Sequence, residues 1–349
     1  MSPYSVAMQH ALQGATFESL PPLFGDAEVS HLIPLDQSRL LAVTQPGNAM
    51  RTVRVSEDGS MSLFSRIKPP PMCTQGFSLT RVGDTLYLFG GYTLGSKTRQ
   101  KIKVGRGDTR RWVFRSAPLW VYDLESCQGW ERLGDPAMEG DIGTSRGRKG
   151  GQEYVHWPAP RAQHSAFVMG TRMYVVGGAG DRQHSMRDME CYDTATGTWA
   201  KSIRLPKDLR QRHIRAGVID GVAHILAGHD HYTYTVWETD SVGKNSSTWV
   251  RKRRPPFEQA LAVQVIDRTL VVLAEPHPSP DYTAGGGVLF SYDTVSLEWE
   301  EDTQLHSFGD TTMRMCVLPP GEDSLYLAHN ASVNGPNTEG LIHLHSNIQ

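Results

Sequence analysis

The stretch Val82-Gly83-Asp84-Thr85-Leu86-Tyr87-Leu88-Phe89-Gly90-Gly91, followed after an interruption by Trp120-Val121-Tyr122-Asp123 and a lone Trp130, decides the fold. An alternating apolar run that ends in two glycines reads as a strand, and the Tyr-bearing run beyond it as an antiparallel neighbour. The Gly83-Asp84 turn brings a preceding strand, Phe77 to Val82, alongside, and Trp130 marks a fourth. This is one four-stranded antiparallel sheet.

The same grammar returns at intervals of roughly 40 to 50 residues, the spacing of a repeat fold. The second strand aligns best: Ser38 to Val43, Thr85 to Phe89, Arg172 to Val176, Val222 to Leu226, Thr269 to Leu273 and Ser324 to Ala328. Each follows a short turn of the kind that joins antiparallel neighbours, among them Gly83-Asp84, Gly170-Thr171 and Asp220-Gly221. An innermost strand precedes each turn, from Val29 to Ile33 in the first copy to Met313 to Leu318 in the last. Third strands carry Tyr122, Tyr192, Trp237 and Tyr292, and outer strands carry Trp130, Trp199, Trp249 and Trp299.

This pattern resembles the kelch repeat, marked by a double glycine, a Tyr and a later Trp. Gly90-Gly91 with Tyr122 and Trp130, and Gly177-Gly178 with Tyr192 and Trp199, match it most fully. The fourth copy keeps Ala227-Gly228, whereas Ala274-Glu275 and Ala328-His329 replace the glycines in the last two. The resemblance implies an all-β, six-bladed kelch-type β-propeller in a single domain over 1–349. Its blades are expected near 26–67, 70–134, 159–206, 210–255, 257–305 and 309–347, the last completed by 15–22. The final unit stops short of an outer strand while Ala15 to Pro22 reads as an orphan one, so pairing of Ala15–Pro22 with Ile342 to His345 is expected to close the ring.

Composition fits a globular chain: of 349 residues, 39% are hydrophobic and 21% charged. A net charge of −2 and a pI near 6.7 give no global attraction to nucleic acid or anionic lipid. No secretory leader is read in Met1 to Leu20 and no apolar run is long enough to span a bilayer, so the expectation is a cytoplasmic protein without membrane contact. Cys73, Cys127, Cys191 and Cys316 lack metal or redox spacing and read as free, mostly buried thiols.

Two inserts break the period. Thr93 to Pro118, between the second and third strands of the second unit, holds Lys97, Arg99, Lys101, Lys103, Arg106, Arg110, Arg111 and Arg115 against Asp108. Gln100 to Val104 and Arg111 to Phe114 alternate around Gly105 to Asp108 and read as a basic hairpin. Gly134 to Trp157 joins the second and third units as a Gly-rich loop. Propeller connectivity puts both on one face, and long connections in a compact fold are frequently functional.

Starts of the inner strands contribute a polar, cation-leaning set at the channel mouth: Gln75, Arg161, His164, His213, Arg215, Gln259 and Arg314. Such a set suits an acidic side chain or a small anion. His164 also occupies a place where kelch-like repeats carry a His that bonds backbone between blades. His229 and His231 flank Asp230 and are the nearest approach to a metal set, but a site needs three or four converging ligands, so neither metal nor cofactor is expected. No nucleophile elbow, phosphate-binding Gly loop, H-E-x-x-H or C-x-x-C is present. The sequence therefore favours an interaction scaffold that binds an acidic protein partner through the loop-rich face and basic hairpin, ahead of nucleic acid. The alternative is a non-redox isomerase or lyase acting on a small anion at the channel mouth.

Overall fold

The computed structural model of the chain describes residues 16–19, 28–45, 49–56, 61–70, 74–93, 101–104, 107–110, 118–133, 156–180, 184–209, 213–228, 230–237, 246–266, 268–276, 287–305, 314–317, 324–329 and 340–345. These residues form strands and turns, and no helix among them is long and apolar enough to cross a membrane. The fold is an all-β β-propeller. The chain divides into two compact units, Pro70–Ile214 and Met1–Pro69 with Arg215–Gln349.

The unit Pro70–Ile214 holds the second and third sheets. In the second, Ser78–Val82, Thr85–Phe89, Leu119–Asp123 and Trp130–Arg132 pair antiparallel in that order. In the third, Ser165–Met169, Arg172–Val176 and Asp188–Asp193 are followed by an outer strand in two pieces, Thr198–Trp199 and Ile203–Arg204. The break falls where the Ser202 hydroxyl leaves the ladder to bond Glu190. A short ribbon of Thr74–Gln75 with Tyr92–Thr93 lies beside the second sheet in sequence.

The other unit holds four sheets. The first is Glu28–Pro34, Arg39–Gln45, Ala49–Val55 and Met61–Ile67. The fourth runs Ile214–Ile219, Val222–Ala227, Asp230–Trp237 and Ser246–Arg251, its first residue belonging to the preceding unit. The fifth is Phe257–Ile266, Thr269–Pro276, Gly287–Asp293 and Glu298–Leu305. The last joins Arg314–Val317, Ser324–His329 and Gly340–His345 to Thr16–Ser19. That N-terminal strand pairs Thr16 with His345 and Ser19 with Ile342, the pairing the sequence predicts.

Second strands read as apolar runs because they are covered on both faces. Leu40 to Val43, Leu86 to Phe89, Met173 to Val176, Ala223 to Ala227 and Leu270 to Ala274 are buried throughout. His224 is the polar exception among them. Aromatic pairs fix the outer two strands in register: Tyr122 lies opposite Trp130, Tyr192 opposite Trp199 and Tyr292 opposite Trp299. Ring centroids are 5.4, 5.1 and 4.9 Å apart, close enough to add about 0.5–1.5 kcal/mol per pair beyond area burial. In the fourth sheet Tyr234, not the expected Trp237, faces Trp249, at 4.7 Å. The hairpin there is longer, so a spacing borrowed from the other copies selects the wrong aromatic.

One turn recurs after Tyr122, Tyr192 and Tyr292. An Asp side chain caps the following amides, as when Asp123 accepts from Glu125 at 2.8 Å and Asp293 from Val295 at 2.8 Å. The residue four beyond each Asp is left-handed: Cys127 at φ 52°, Gly197 at 70° and Leu297 at 62°. Only glycine takes that conformation without strain. Leu297 is exposed. Leu297→Gly is expected to stabilise the protein by up to about 1 kcal/mol. A higher urea midpoint at unchanged slope would confirm it, and a lower midpoint would contradict it.

Candidate functional site

The lead-in to the third sheet, Pro158-Ala159-Pro160-Arg161-Ala162-Gln163-His164, holds two of the expected site residues. Residues before proline are pushed out of the helical region, which keeps this segment extended. Its backbone runs against the double glycine of the preceding sheet: Gly91 donates to the Arg161 carbonyl at 2.9 Å and Gln163 to Gly76 at 2.7 Å. A Cβ on Gly90 would lie 2.5 Å from the Arg161 carbonyl oxygen. On Gly178 it would lie 2.7 Å from that of Ala162. The double glycines are therefore demanded by a passing backbone, and both occupy positive φ.

Arg161 turns inward and is wholly buried. Its Nη2 donates to Glu190 Oε1 at 3.1 Å, and its Nη1 lies 2.9 Å from Asp188 Oδ1, a charge contact without hydrogen-bond alignment. Nη1 also donates to the Gly177 carbonyl at 3.4 Å. The other Glu190 oxygen meets His156 Nε2 at 2.8 Å, and Ser202 Oγ donates to both carboxylate oxygens at 3.0 Å. Arg161 thus faces two carboxylates of its own sheet instead of an open mouth. The sequence signal that points to this is Glu190 itself, an acid inside the strand Asp188–Asp193 whose neighbours Met189 and Cys191 are apolar and buried. A buried carboxylate requires a paired cation.

Ser202, His156 and Glu190 have the composition of a hydrolytic triad without its arrangement. A relay uses opposite nitrogens of the imidazole, one toward the nucleophile and one toward the acid. Here Nε2 meets both Ser202, at 3.2 Å, and Glu190, and the serine already bonds the carboxylate. His164 Nε2 meets Ser78 Oγ at 2.8 Å and its ring stands edge-on to Phe89 at 5.5 Å. It links the two sheets of its unit through a side-chain hydroxyl. Gln75 is half-buried and pairs Tyr92, and His213 is exposed just ahead of the fourth sheet.

In the other unit Arg215 Nε donates to the Leu261 carbonyl at 2.7 Å. The register of the fifth sheet shifts between Ala260 and Ala262, which leaves Leu261 out of the ladder and its carbonyl available. Gln259 is half-buried opposite Glu275, and Arg314 opens a strand opposite Ala328. His229 lies outside the described residues. His231 is buried with Nε2 3.1 Å from His224 Nδ1, and no three His, Cys, Asp or Glu among the described residues gather as a metal set. Of the cysteines, Cys191 is buried and Cys127 exposed.

The basic insert contains a ribbon of Lys101–Val104 with Gly107–Arg110. It is tighter than the sequence predicts, since Gly107 and Asp108 belong to the returning strand and not to the turn. Lys101 pairs Arg110 and Lys103 pairs Asp108. Lys97, Arg99, Arg106, Arg111 and Arg115 lie outside the described residues, as does most of the Gly-rich insert, 134–155.

Removing Arg161 leaves Glu190 as an uncompensated buried charge. Arg161→Met is expected to destabilise the protein by about 3–5 kcal/mol in urea unfolding. The double change Arg161→Met with Glu190→Leu should recover much of that loss, and equal loss in both variants would contradict the pairing.

Comparison with known proteins agrees with this geometry. The model of the Kelch motif matches residues 160–201, the lead-in and the third sheet down to Trp199. Acyl-CoA-binding domain-containing protein 4 of Arabidopsis thaliana is 24% identical over 216 residues, 60% of this chain and 27% of that protein. The match thus spans about a quarter of that relative. The solved structure of YjhT superposes with a TM-score of 0.58 at 11% identity, covering 93% of this chain and 95% of the other, a likeness of fold. A Kelch motif, its glycines, tyrosine and tryptophan holding the third sheet, thus lies at residues 160–201 of an all-β β-propeller.

Proposed function

We propose that the chain is a closed six-bladed kelch propeller in the cytoplasm. It serves as an interaction scaffold and binds an acidic protein surface through its loop-rich face and basic hairpin. One observation carries the reading: the ribbon Lys101–Val104 with Gly107–Arg110, inside an insert that interrupts an otherwise regular repeat. Its register sets three cations against one acid, with Lys101 opposite Arg110. Three cations among the eight ribbon residues make a basic cluster that an acidic surface would complement. Pairing of Thr16–Ser19 with Gly340–His345 supports the closed ring, because it ties the two ends of the described chain into one sheet.

An isomerase or lyase acting on a small anion is the weaker reading. Arg161 is bound by Glu190 and Asp188, and His164 Nε2 meets Ser78, so two of the residues on which it rests make contacts within the protein.

The test is affinity capture from native cells with the wild-type chain and with a Lys101→Glu, Lys103→Glu, Arg110→Glu variant, quantified by mass spectrometry with and without nuclease. The proposal expects a protein partner with an acidic surface whose recovery survives nuclease and falls at least about tenfold in the variant, the effect of ~1.4 kcal/mol. Unchanged recovery would remove the ribbon from the interface, and recovery abolished by nuclease would replace the acidic protein with nucleic acid.

A further inference from the structure

The second strand of the fourth sheet is apolar except for one residue. His224 stands between Ala223 and Ile225 and opposite Thr233, and His231, opposite Leu226, is its diagonal neighbour on the third strand. Both are buried, at 5% and 1% exposure, and His224 Nδ1 lies 3.1 Å from His231 Nε2. One hydrogen bond between two ring nitrogens requires one donor and one acceptor. A further proton on the accepting nitrogen turns both into donors, so the hydrogen bond is lost and two N–H groups face each other beside one buried cation.

The fifth sheet covers the pair. Tyr292 stands edge-on to His231 at 4.8 Å and lies 5.9 Å from His224, and Trp299 stands edge-on to His231 at 5.6 Å. Behind them Phe257 packs on Trp299 at 5.2 Å. The charged and titratable groups near the pair do not favour a cation. Lys252, whose amide donates to the His231 carbonyl at 2.8 Å, acts on both rings as a like charge. Asp230, next in sequence to His231, is engaged by Arg251 at 2.7 Å. Asp293 acts on Tyr292, whose buried hydroxyl has no hydrogen-bond partner among the described residues. Neither imidazole has a carboxylate partner among the described residues.

We propose that His224 and His231 form an acid-sensitive latch between the fourth and fifth sheets: both rings are neutral while the sheets are packed, and protonation is coupled to opening of that junction. Burial, reinforced by Lys252, pushes His224 down to about 4. Burial, then His224 and Lys252, push His231 down to about 3. A histidine with a depressed folded-state pKa stabilises the packed state fully above its unfolded value near 6.5 and loses that contribution as pH falls toward the folded value. Between pH 6.5 and about 4 each histidine therefore weakens the packed state by about tenfold per pH unit.

Two measurements on the full chain test this. With ¹⁵N-histidine labelling, both rings are expected to keep neutral-imidazole shifts at pH 5.5. In urea unfolding, the wild type is expected to lose about a hundredfold more in its folding equilibrium between pH 7.5 and 5.5 than a His224→Leu, His231→Met variant. Should that variant not fold, the ring shifts of the wild type decide alone. Titration of either ring near 6.5 in the folded chain would overturn the latch. So would equal pH sensitivity of wild type and variant, or a Tm raised by added zinc at pH 7.5, which would make the pair a metal site.

Discussion

Close approach of one sheet's lead-in to the double glycine of the preceding sheet is the constraint on which the rest of the unit Pro70–Ile214 depends. With 2.5 Å from a Gly90 Cβ to the Arg161 carbonyl oxygen, no side chain fits, and the amide of Gly91 is free to bond that carbonyl. Once the backbone passes there, Arg161 is carried into the interior, and the charge it brings must be met. Glu190 and Asp188 meet it, Ser202 leaves the outer strand to bond Glu190, and the outer strand is accordingly broken in two. Fold, buried charge and the irregular third sheet follow from one steric requirement.

That chain of consequences changes the meaning of the residues that look most reactive. Arg161 and His164 sit where an inner-strand start could address a ligand, yet the Arg161 guanidinium binds Glu190, Asp188 and the Gly177 carbonyl, and His164 Nε2 meets Ser78. Kelch signatures therefore say how sheets are assembled and little about what the assembly binds. The informative departure is the insert between Phe89 and Leu119, which the repeat does not require and which carries the basic ribbon.

Much of the fold is legible in the sequence because it repeats. Strand alternation, turns and Tyr–Trp pairs recur often enough for each copy to correct the others, and the N-terminal strand is visible as an outer strand lacking a sheet. Legibility fails where copies differ. Tyr234 is hidden because its hairpin is longer than those in the sheets of Tyr122, Tyr192 and Tyr292, and the turn of the basic hairpin falls two residues earlier than alternation suggests. The candidate site is harder to read, since a buried Arg and a ligand-binding Arg share one sequence signature until the partner carboxylate is located. Glu190 and His224 were the available signals, each a polar residue in a run that burial makes apolar.

The proposed closure of the ring rests on the pairing of the N-terminal strand with the last sheet. It is tested by oxidising a Phe17→Cys, Leu344→Cys variant, since these positions are paired directly in register. Cross-strand partners lie within the Cα separation a disulfide needs, and a bridge that encloses nearly the whole chain stabilises by up to about 5 kcal/mol. The account predicts rapid intramolecular cross-linking and a raised unfolding midpoint that falls back on reduction. Absence of an intramolecular cross-link, or a bridge that leaves the midpoint unchanged, would contradict it.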